Sequence, residues 1–396
     1  MIKTISLIII TISILTLLYK YLIMKKNTNY PQKEKNGHNY AILIPARNES
    51  QVIENLLISI ENQTQKIKPE NVYVIVETKK DKTVSIVEKH KMNIVYRKNL
   101  NKRRKGFALD DVVKEILKQD KKYDAYFIFD ADNILDKDYL KEMTKSIDEG
   151  YSIGVGYRNT KNGKSIISAS SSLTFSMINT ISNSRKSKYT NNIIISGTGY
   201  YIKSHLIESW QGFPFNSLTE DYELSLYSTL NNITTTYNDK AIFYDEQPED
   251  FTTTITQRSR WVKGYFEARR KYIKKIRKSL KRKDINYASK INAIIGVTPL
   301  ITLIIGLLLL LISHINNIKN LLITLSIIIL LVYTVLMIFS YVMIKKEEDK
   351  LNIKASKILI ILYNPIFLLS YIYCLYIAIT KKDLVWQEIK HTNNIN

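Results

Sequence analysis

The chain has 396 residues, a formal net charge of +22, only 12 glycines and 7 prolines, and a single cysteine, Cys374. The length accommodates one ordinary soluble domain plus membrane segments. The composition excludes collagen-like and disordered chains, and one cysteine excludes an intramolecular disulfide or a cysteine-rich zinc site. The five histidines form no close pair, so any metal falls to oxygen ligands, carboxylates first. The basic excess fits an anionic membrane surface better than nucleic acid, because it borders apolar runs.

Residues 4–24 form the first apolar stretch, close to the ~20 residues that span a bilayer, with Lys20 near its end where it can snorkel. No small-residue cleavage site follows, and the stretch runs into Lys25 and Lys26, so it reads as an anchor rather than a leader. Residues 40–44 are then a short apolar run ending at Pro45, and Ser50 is expected to cap a helix reaching Asn62. Further apolar runs at 72–76, 94–96 and 125–129 alternate with helical patterns at 83–89 and 107–117. This alternation predicts a parallel α/β sheet, in which ligands bind beyond the carboxyl ends of the strands.

Acids stand at those ends: Glu49 after the first run, Glu77 after the second, Asp130 and Asp132 after the fourth. Two carboxylates two positions apart at a strand end can share a divalent cation with a diphosphate. The same residues also read as a turn at Asp132-Asn133.

Three more uncharged apolar stretches follow, at 291–313, 321–344 and 358–379, the last interrupted by Asn364-Pro365, which suggests a kinked or re-entrant segment. Basic residues flank the spans: Lys25, Lys26, Lys33 and Lys35 after the first; a dense run from Arg269 to Lys283 before the second; Lys345, Lys346, Lys350, Lys354 and Lys357 between the third and fourth. The positive-inside rule puts all three regions in the cytosol. Four full crossings would leave Lys381, Lys382 and Lys390 outside, against that rule.

Several segments, taken in order, resemble an inverting, membrane-bound family 2 glycosyltransferase with a GT-A fold, the group of the cellulose, hyaluronan, chitin and poly-N-acetylglucosamine synthases. They are Ile-Pro-Ala-Arg-Asn-Glu at 44–49, Val-Glu-Thr-Lys-Lys-Asp-Lys-Thr at 76–83, Lys-Gly-Phe-Ala-Leu at 105–109, Phe-Asp-Ala-Asp at 129–132, Ser-Gly-Thr-Gly at 196–199, Leu-Thr-Glu-Asp at 218–221 and Gln-Arg-Ser-Arg-Trp at 257–261. The resemblance spans about 40–264. It implies that Pro45, Ala46, Glu49, Glu77, Lys105, Asp130 and Arg260 bind the donor, with Glu77 standing where an aspartate usually contacts the uracil or ribose. It implies that Asp130 and Asp132 hold Mg²⁺ or Mn²⁺, that Asp221 is the catalytic base with Glu220 tuning it, and that Gly197, Thr198, Gly199, Gln257 and Trp261 meet the acceptor. Trp261 also reads as an interfacial anchor, and the two roles are compatible.

The expected organisation is an anchor and linker at 1–36, a GT-A domain at 37–261, a basic interfacial helix at 262–290, transmembrane helices at 291–380 and a polar tail at 381–396. The expected activity is transfer of a hexose or N-acetylhexosamine from a UDP-sugar to a growing glycan, processively. Single-sugar transfer to a lipid is the alternative, and a non-catalytic scaffold a third reading. Expected partners are the donor, a glycan or lipid acceptor, membrane lipids and accessory or export proteins, with no nucleic acid. The expected location is the cell membrane, multi-pass, with the catalytic domain in the cytosol.

Overall fold

The computed structural model describes residues 1–23, 31–34, 37–189, 192–280, 287–381 and 384. Its elements are α1 (Ile2–Leu22), β1 (Tyr40–Pro45), α2 (Ile53–Glu61), β2 (Val72–Val76), α3 (Thr83–Lys89), β3 (Asn93–Tyr96), α4 (Lys105–Ile116), β4 (Ala125–Ile128), β5 (Ile134–Leu135), α5 (Tyr139–Asp148), β6 (Ile153–Thr160), α6 (Ile166–Met177), a π-helical turn (Ile178–Asn183), α7 (Ser184–Lys188), β7 (Tyr200–Lys203), α8 (Ser204–Trp210), α9 (Glu220–Leu230), β8 (Thr235–Asp245), α10 (Phe251–Ser279), α11 (Tyr287–Ile295), α12 (Thr298–Ile312), α13 (Ile318–Lys346) and α14 (Lys357–Thr380).

The strands form one sheet in the order β3-β2-β1-β4-β7-β6-β8-β5. The predicted parallel sheet is its first half: β2 pairs parallel with β1 and β3, and β1 with β4. Beyond β4 the sheet is mixed, because β7 runs antiparallel to both β4 and β6, and β5 antiparallel to β8. The strand-prone run Tyr200-Tyr201-Ile202 is compatible with β7 but carries no mark of its direction. Its direction is set by pairing with Ala125–Ile128, which are remote in sequence. The central strands are apolar on both faces because helices cover both. Ile42, Val74 and Phe127 pack toward α2 and α5, while Leu43, Tyr73 and Tyr126 pack toward α4. Each such side chain contributes about 1.5–3 kcal/mol by leaving water. Ser50 does not cap α2, which begins at Ile53 with Val52 at its N-cap position and no side-chain cap.

Four helical segments are long and apolar enough to cross a membrane: Ile2–Leu22, Tyr287–Ile312, Ile318–Lys346 and Lys357–Thr380. The second is broken at Gly296, whose φ of 53° separates α11 from α12, so the expected span at 291–313 straddles two helices. Lys20 does not end in open solvent. Its ammonium donates to the Gly296 carbonyl (2.8 Å) at the end of α11. Small polar residues let α1 lie close on α12: Ser6 donates to the Gly306 carbonyl (3.0 Å), and the Ser13 and Thr302 hydroxyls are 2.7 Å apart. Such contacts carry helix association where lipid removes the hydrophobic drive. Arg185 of α7 lies 3.3 Å from the Tyr21 ring centroid and donates to the Tyr21 carbonyl (2.9 Å), joining the sheet domain to α1.

Pro365 lies inside the continuous helix α14 rather than breaking it into a re-entrant loop. Both ends of α14 meet the sheet domain. Just before it, Ile353 bridges to Gly163 and Asn352 donates to the Thr160 carbonyl (2.9 Å). At its far end Lys263 of α10 donates to the Lys381 carbonyl (2.6 Å). Lys381 therefore lies against α10 of the sheet domain. Lys25, Lys26, Lys35, Lys281, Arg282, Lys283, Lys382 and Lys390 lie outside the described residues.

This contact predicts that cysteines introduced singly, as Lys263→Cys and as Lys381→Cys, are accessible from one and the same side of the membrane. Both cysteines should label with an impermeant thiol reagent from the same membrane side. The native Cys374 is buried, so its background is low. Labelling of position 381 from the side opposite position 263 would show instead that α14 crosses the bilayer.

Candidate active site

The carboxyl ends of β1, β2 and β4, the start of α4, the loop before α9 and the first turns of α10 converge on a cavity of about 1950 Å³. Of the expected donor residues, Pro45, Ala46, Glu49, Glu77, Lys105, Asp130 and Arg260 all line it, as do Asp132, Glu220 and Asp221. Gly197, Gln257 and Trp261 line it too. Thr198 and Gly199 do not. The Thr198 hydroxyl accepts from the Asp130 amide (2.8 Å) and donates to the Asn133 side chain. Gly199, with φ of 65°, lies against Phe243, where an added Cβ would come 2.1 Å from the ring. Both shape the Asp130 turn from behind.

Lys105 is the central cation. As the first residue of α4 it points out of the helix start, donating to the Asp130 carboxylate and to the Gly197 carbonyl (2.6 Å). Gly106 follows because α4 lies hard against the Phe215 backbone, where a Cβ would be 1.8 Å from the carbonyl oxygen. Burial disfavours the Lys105 charge, but Asp130, Glu220 and Asp221 outweigh it and raise its pKa. At the donor side Glu77 pairs with Arg47 (3.2 Å).

Glu220 and Asp221 open α9. Burial raises the Glu220 pKa, and the adjacent Asp221 charge adds to this, with Lys105 opposing. Burial likewise raises Asp221, against the Tyr222 backbone amide (2.8 Å), Lys105 and Arg158. A carboxylate with a raised pKa is a stronger proton acceptor than an exposed one. The preceding loop is clamped from several directions. Glu223 accepts from the Asn216 and Ser217 amides (3.1 and 2.9 Å), and Glu267 of α10 from the Leu218 amide (3.2 Å). Arg104 bridges Glu267 (2.7 Å) and the Asn216 carbonyl (2.8 Å).

A second polar network escaped the sequence reading. Arg158 at the end of β6 pairs with Asp245 (Nε to Oδ2, 2.6 Å), donates to the Ser196 carbonyl (2.9 Å) and stacks 3.7 Å from the Phe175 centroid. Trp261 meets Phe175 edge-on at 5.8 Å between centroids. Asp245 also accepts from Gln247 (2.8 Å), which accepts from Ser171 (2.6 Å), which accepts from Arg258 (3.2 Å). Arg258, 1% exposed, lies 3.7 Å from the Phe367 centroid of α14. The only local signal was the run Asp245-Glu246-Gln247-Pro248-Glu249-Asp250 after a strand. The pairing of Arg158 with it spans 87 residues.

The sequence profile described as "Glycosyltransferase like family 2" matches residues 38–264. The chain belongs to this family. A curated relative, the probable glycosyltransferase YdaM of Bacillus subtilis (strain 168), is 26% identical over 255 residues. That match covers 62% of this chain and 59% of YdaM, so the chain spans less than two thirds of its relative's length. The solved mannosyltransferase PcManGT from Pyrobaculum calidifontis, in complex with GDP-Man and Mn²⁺, superposes with a TM-score of 0.61 at 16% identity. The superposition covers 83% of this chain and 92% of that one, a likeness of fold. The domain is thus a mixed α/β GT-A-like fold with one N-terminal and three C-terminal apolar helical segments.

The packing of α10 on the Glu220–Asp221 turn gives a prediction. A Cβ at Gly264 would lie 2.6 Å from the Thr219 side chain and 2.9 Å from its backbone nitrogen. Gly264→Val should therefore destabilise the protein by about 1–3 kcal/mol, in line with overpacking elsewhere. It should also cut turnover more than donor binding. A thermal melt and a nucleotide-binding titration on the same preparation check this, and unchanged turnover would remove the contact from the site.

Proposed function

We propose that the cavity carries an inverting transfer of a sugar from a nucleoside diphosphate to an acceptor hydroxyl at the membrane. The observation that carries this reading is the convergence of Lys105, Asp130, Asp132, Glu220, Asp221 and Arg260 on one recessed cavity. Cations there suit a diphosphate, and a carboxylate of raised pKa suits a hydroxyl proton. The donor class implied by the resemblance is a UDP-sugar carrying a hexose or N-acetylhexosamine, with Glu77 and Arg47 at the nucleotide end.

Asp221 takes the acceptor proton as the hydroxyl oxygen bonds to the anomeric carbon. The bond from that carbon to the diphosphate breaks, and its electron pair leaves with the diphosphate. One displacement inverts the configuration. Arg260 and Lys105 meet the charge developing on the leaving group, and Arg260 can do so through two parallel hydrogen bonds.

The residues also bear on a divalent cation. Among the described residues no group of three or more His, Cys, Asp or Glu side chains could enclose a metal. Two carboxylates, Asp130 and Asp132, line the cavity, and Asp130 is already paired with Lys105. That set fits Mg²⁺ or Mn²⁺ shared with the donor diphosphate, as small hard cations are often held by one or two carboxylates plus phosphates. When bound, the ion would neutralise charge on the leaving diphosphate.

A cytosolic domain is supported by Lys350, which bonds Asp239 of the sheet domain (2.8 Å) from the basic loop between α13 and α14. The alternative of a non-catalytic scaffold finds no support in a cavity whose expected acids all converge.

Asp221→Asn should lower transfer about 10²–10⁴-fold, the usual cost of losing a general base, while nucleotide binding survives. Near-normal transfer would remove Asp221 from the mechanism. The base works deprotonated, so its raised pKa places the acid limb of kcat/KM above the ordinary carboxylate value of ~4. Lys105→Met should move that limb further up, because Lys105 lowers the Asp221 pKa. A pH profile with its acid limb unmoved in the variant would contradict the assignment. Asp132→Ala should abolish divalent stimulation. Mn²⁺ binding to the wild type, followed by electron paramagnetic resonance, should be weak alone and tighten with nucleoside diphosphate. Full activity in excess chelator would argue against the shared ion.

A further inference from the structure

The cavity does not end at the carboxylates. It continues between α1, α12, α13 and α14, and there its character changes. Of the residues these helices contribute to it, all but Tyr333 and Tyr371 are aliphatic, and the Tyr333 hydroxyl is already spent on the Leu362 carbonyl (2.6 Å). A glycan threaded through this half would have to shed water from its many hydroxyls with only two tyrosine hydroxyls in return, at about 2–7 kcal/mol for each group left unpaired. Several lining residues are also uncovered by protein: Leu308, Leu331 and Val335 are 54, 62 and 55% exposed. The space is therefore walled by aliphatic side chains that no other part of the protein covers.

The polar mouth narrows the choice of headgroup. It carries Glu220, Asp221, Glu249 and Asp250, while Arg158 there is neutralised by Asp245 and the one charge of Arg260 is shared among Glu220, Asp130 and Asp221, which outnumber it. A phosphate headgroup would face like charges at this mouth, whereas an uncharged hydroxyl beside Asp221 would not.

Resting on the transferase reading above, we propose that the acceptor is a neutral, hydroxyl-headed lipid. Its chains lie in the aliphatic cleft between α12, α13 and α14, and its hydroxyl reaches Asp221. The sugar's anomeric carbon bonds to the lipid oxygen, the proton passes to Asp221, and the nucleoside diphosphate departs. Trp261, held edge-on by Phe175, stands at the junction of the polar and aliphatic halves.

The test uses the full chain in phosphatidylcholine nanodiscs with a panel of labelled UDP- and GDP-sugars. Three arms contain dioleoylglycerol, a polyprenyl phosphate or no added acceptor. Label should partition into organic solvent with dioleoylglycerol. Ile304→Trp and Val332→Trp, which fill the cleft from two helices, should each lower lipid glycosylation relative to nucleoside diphosphate release by about tenfold, or ~1.4 kcal/mol. Ile305→Trp, on the outward face of α12 and 46% exposed, is the control for merely adding a tryptophan to this helix and should match wild type. Label only in a water-soluble polymer, label only on polyprenyl phosphate, or cleft variants that match Ile305→Trp would each overturn the proposal. Absence of donor turnover in every arm would sink the transferase reading itself. Turnover with a water-soluble product would sink only the lipid assignment.

Discussion

A single ammonium group holds the site in register. Lys105 joins the end of β4, through Asp130, to the turn before β7, through the Gly197 carbonyl, and faces the carboxyls that open α9. Without that cation, three recessed acids would repel one another in a region poor in water. Glu220 and Asp221 would be driven further toward their neutral forms. The same charge that makes the acids tolerable also makes the cavity attractive to a diphosphate. Structural and chemical roles therefore fall on one side chain, and Gly106 is the local condition for it, since only a residue without a Cβ lets α4 start so close to the Phe215 backbone.

The second constraint is the sharing of α10 between two environments. Its first turns bring Gln257, Arg260 and Trp261 to the cavity, Gly264 lets it lie on Thr219, and its later residues pack on α9 through Ala268, Tyr272 and Ile276. Arg258 on the same helix turns away from the cavity, into aromatic rings of α14. A buried guanidinium with Nε and Nη1 unbonded is costly. Stacking on Phe367 and Tyr371 recovers part of that cost through the cation–π attraction. The helix thereby ties the chemistry to the membrane half through one chain of contacts: Phe367, Arg258, Ser171, Gln247, Asp245 and Arg158.

The apolar cleft bears on a question that the motifs alone leave open. Gln257, Arg260 and Trp261 resemble the motif of processive enzymes, and on that ground chain extension is the expected activity. The aliphatic lining, with Leu308, Leu331 and Val335 uncovered by protein, favours a lipid occupant instead. The two readings share the donor site and the base, and differ only in what the membrane helices surround.

Local sequence was enough for much of this protein, and for a physical reason. The apolar runs of β1, β2 and β4 and the acids after them were legible because a strand buried on both faces must be continuously apolar and must end where polar residues begin. The four apolar segments were legible because a bilayer demands length and lack of charge within one stretch of chain. What lay beyond local sequence was everything decided by pairing across distance. The antiparallel β7, the Arg158–Asp245 pair, the backing role of Thr198 and Gly199, the break at Gly296 and the return of Lys381 to Lys263 each depend on a partner far along the chain. No nearby residue records the direction of such a partner. Strand polarity, the facing of a side chain and the path of a helix are properties of the packed whole, and only the tertiary structure decided them.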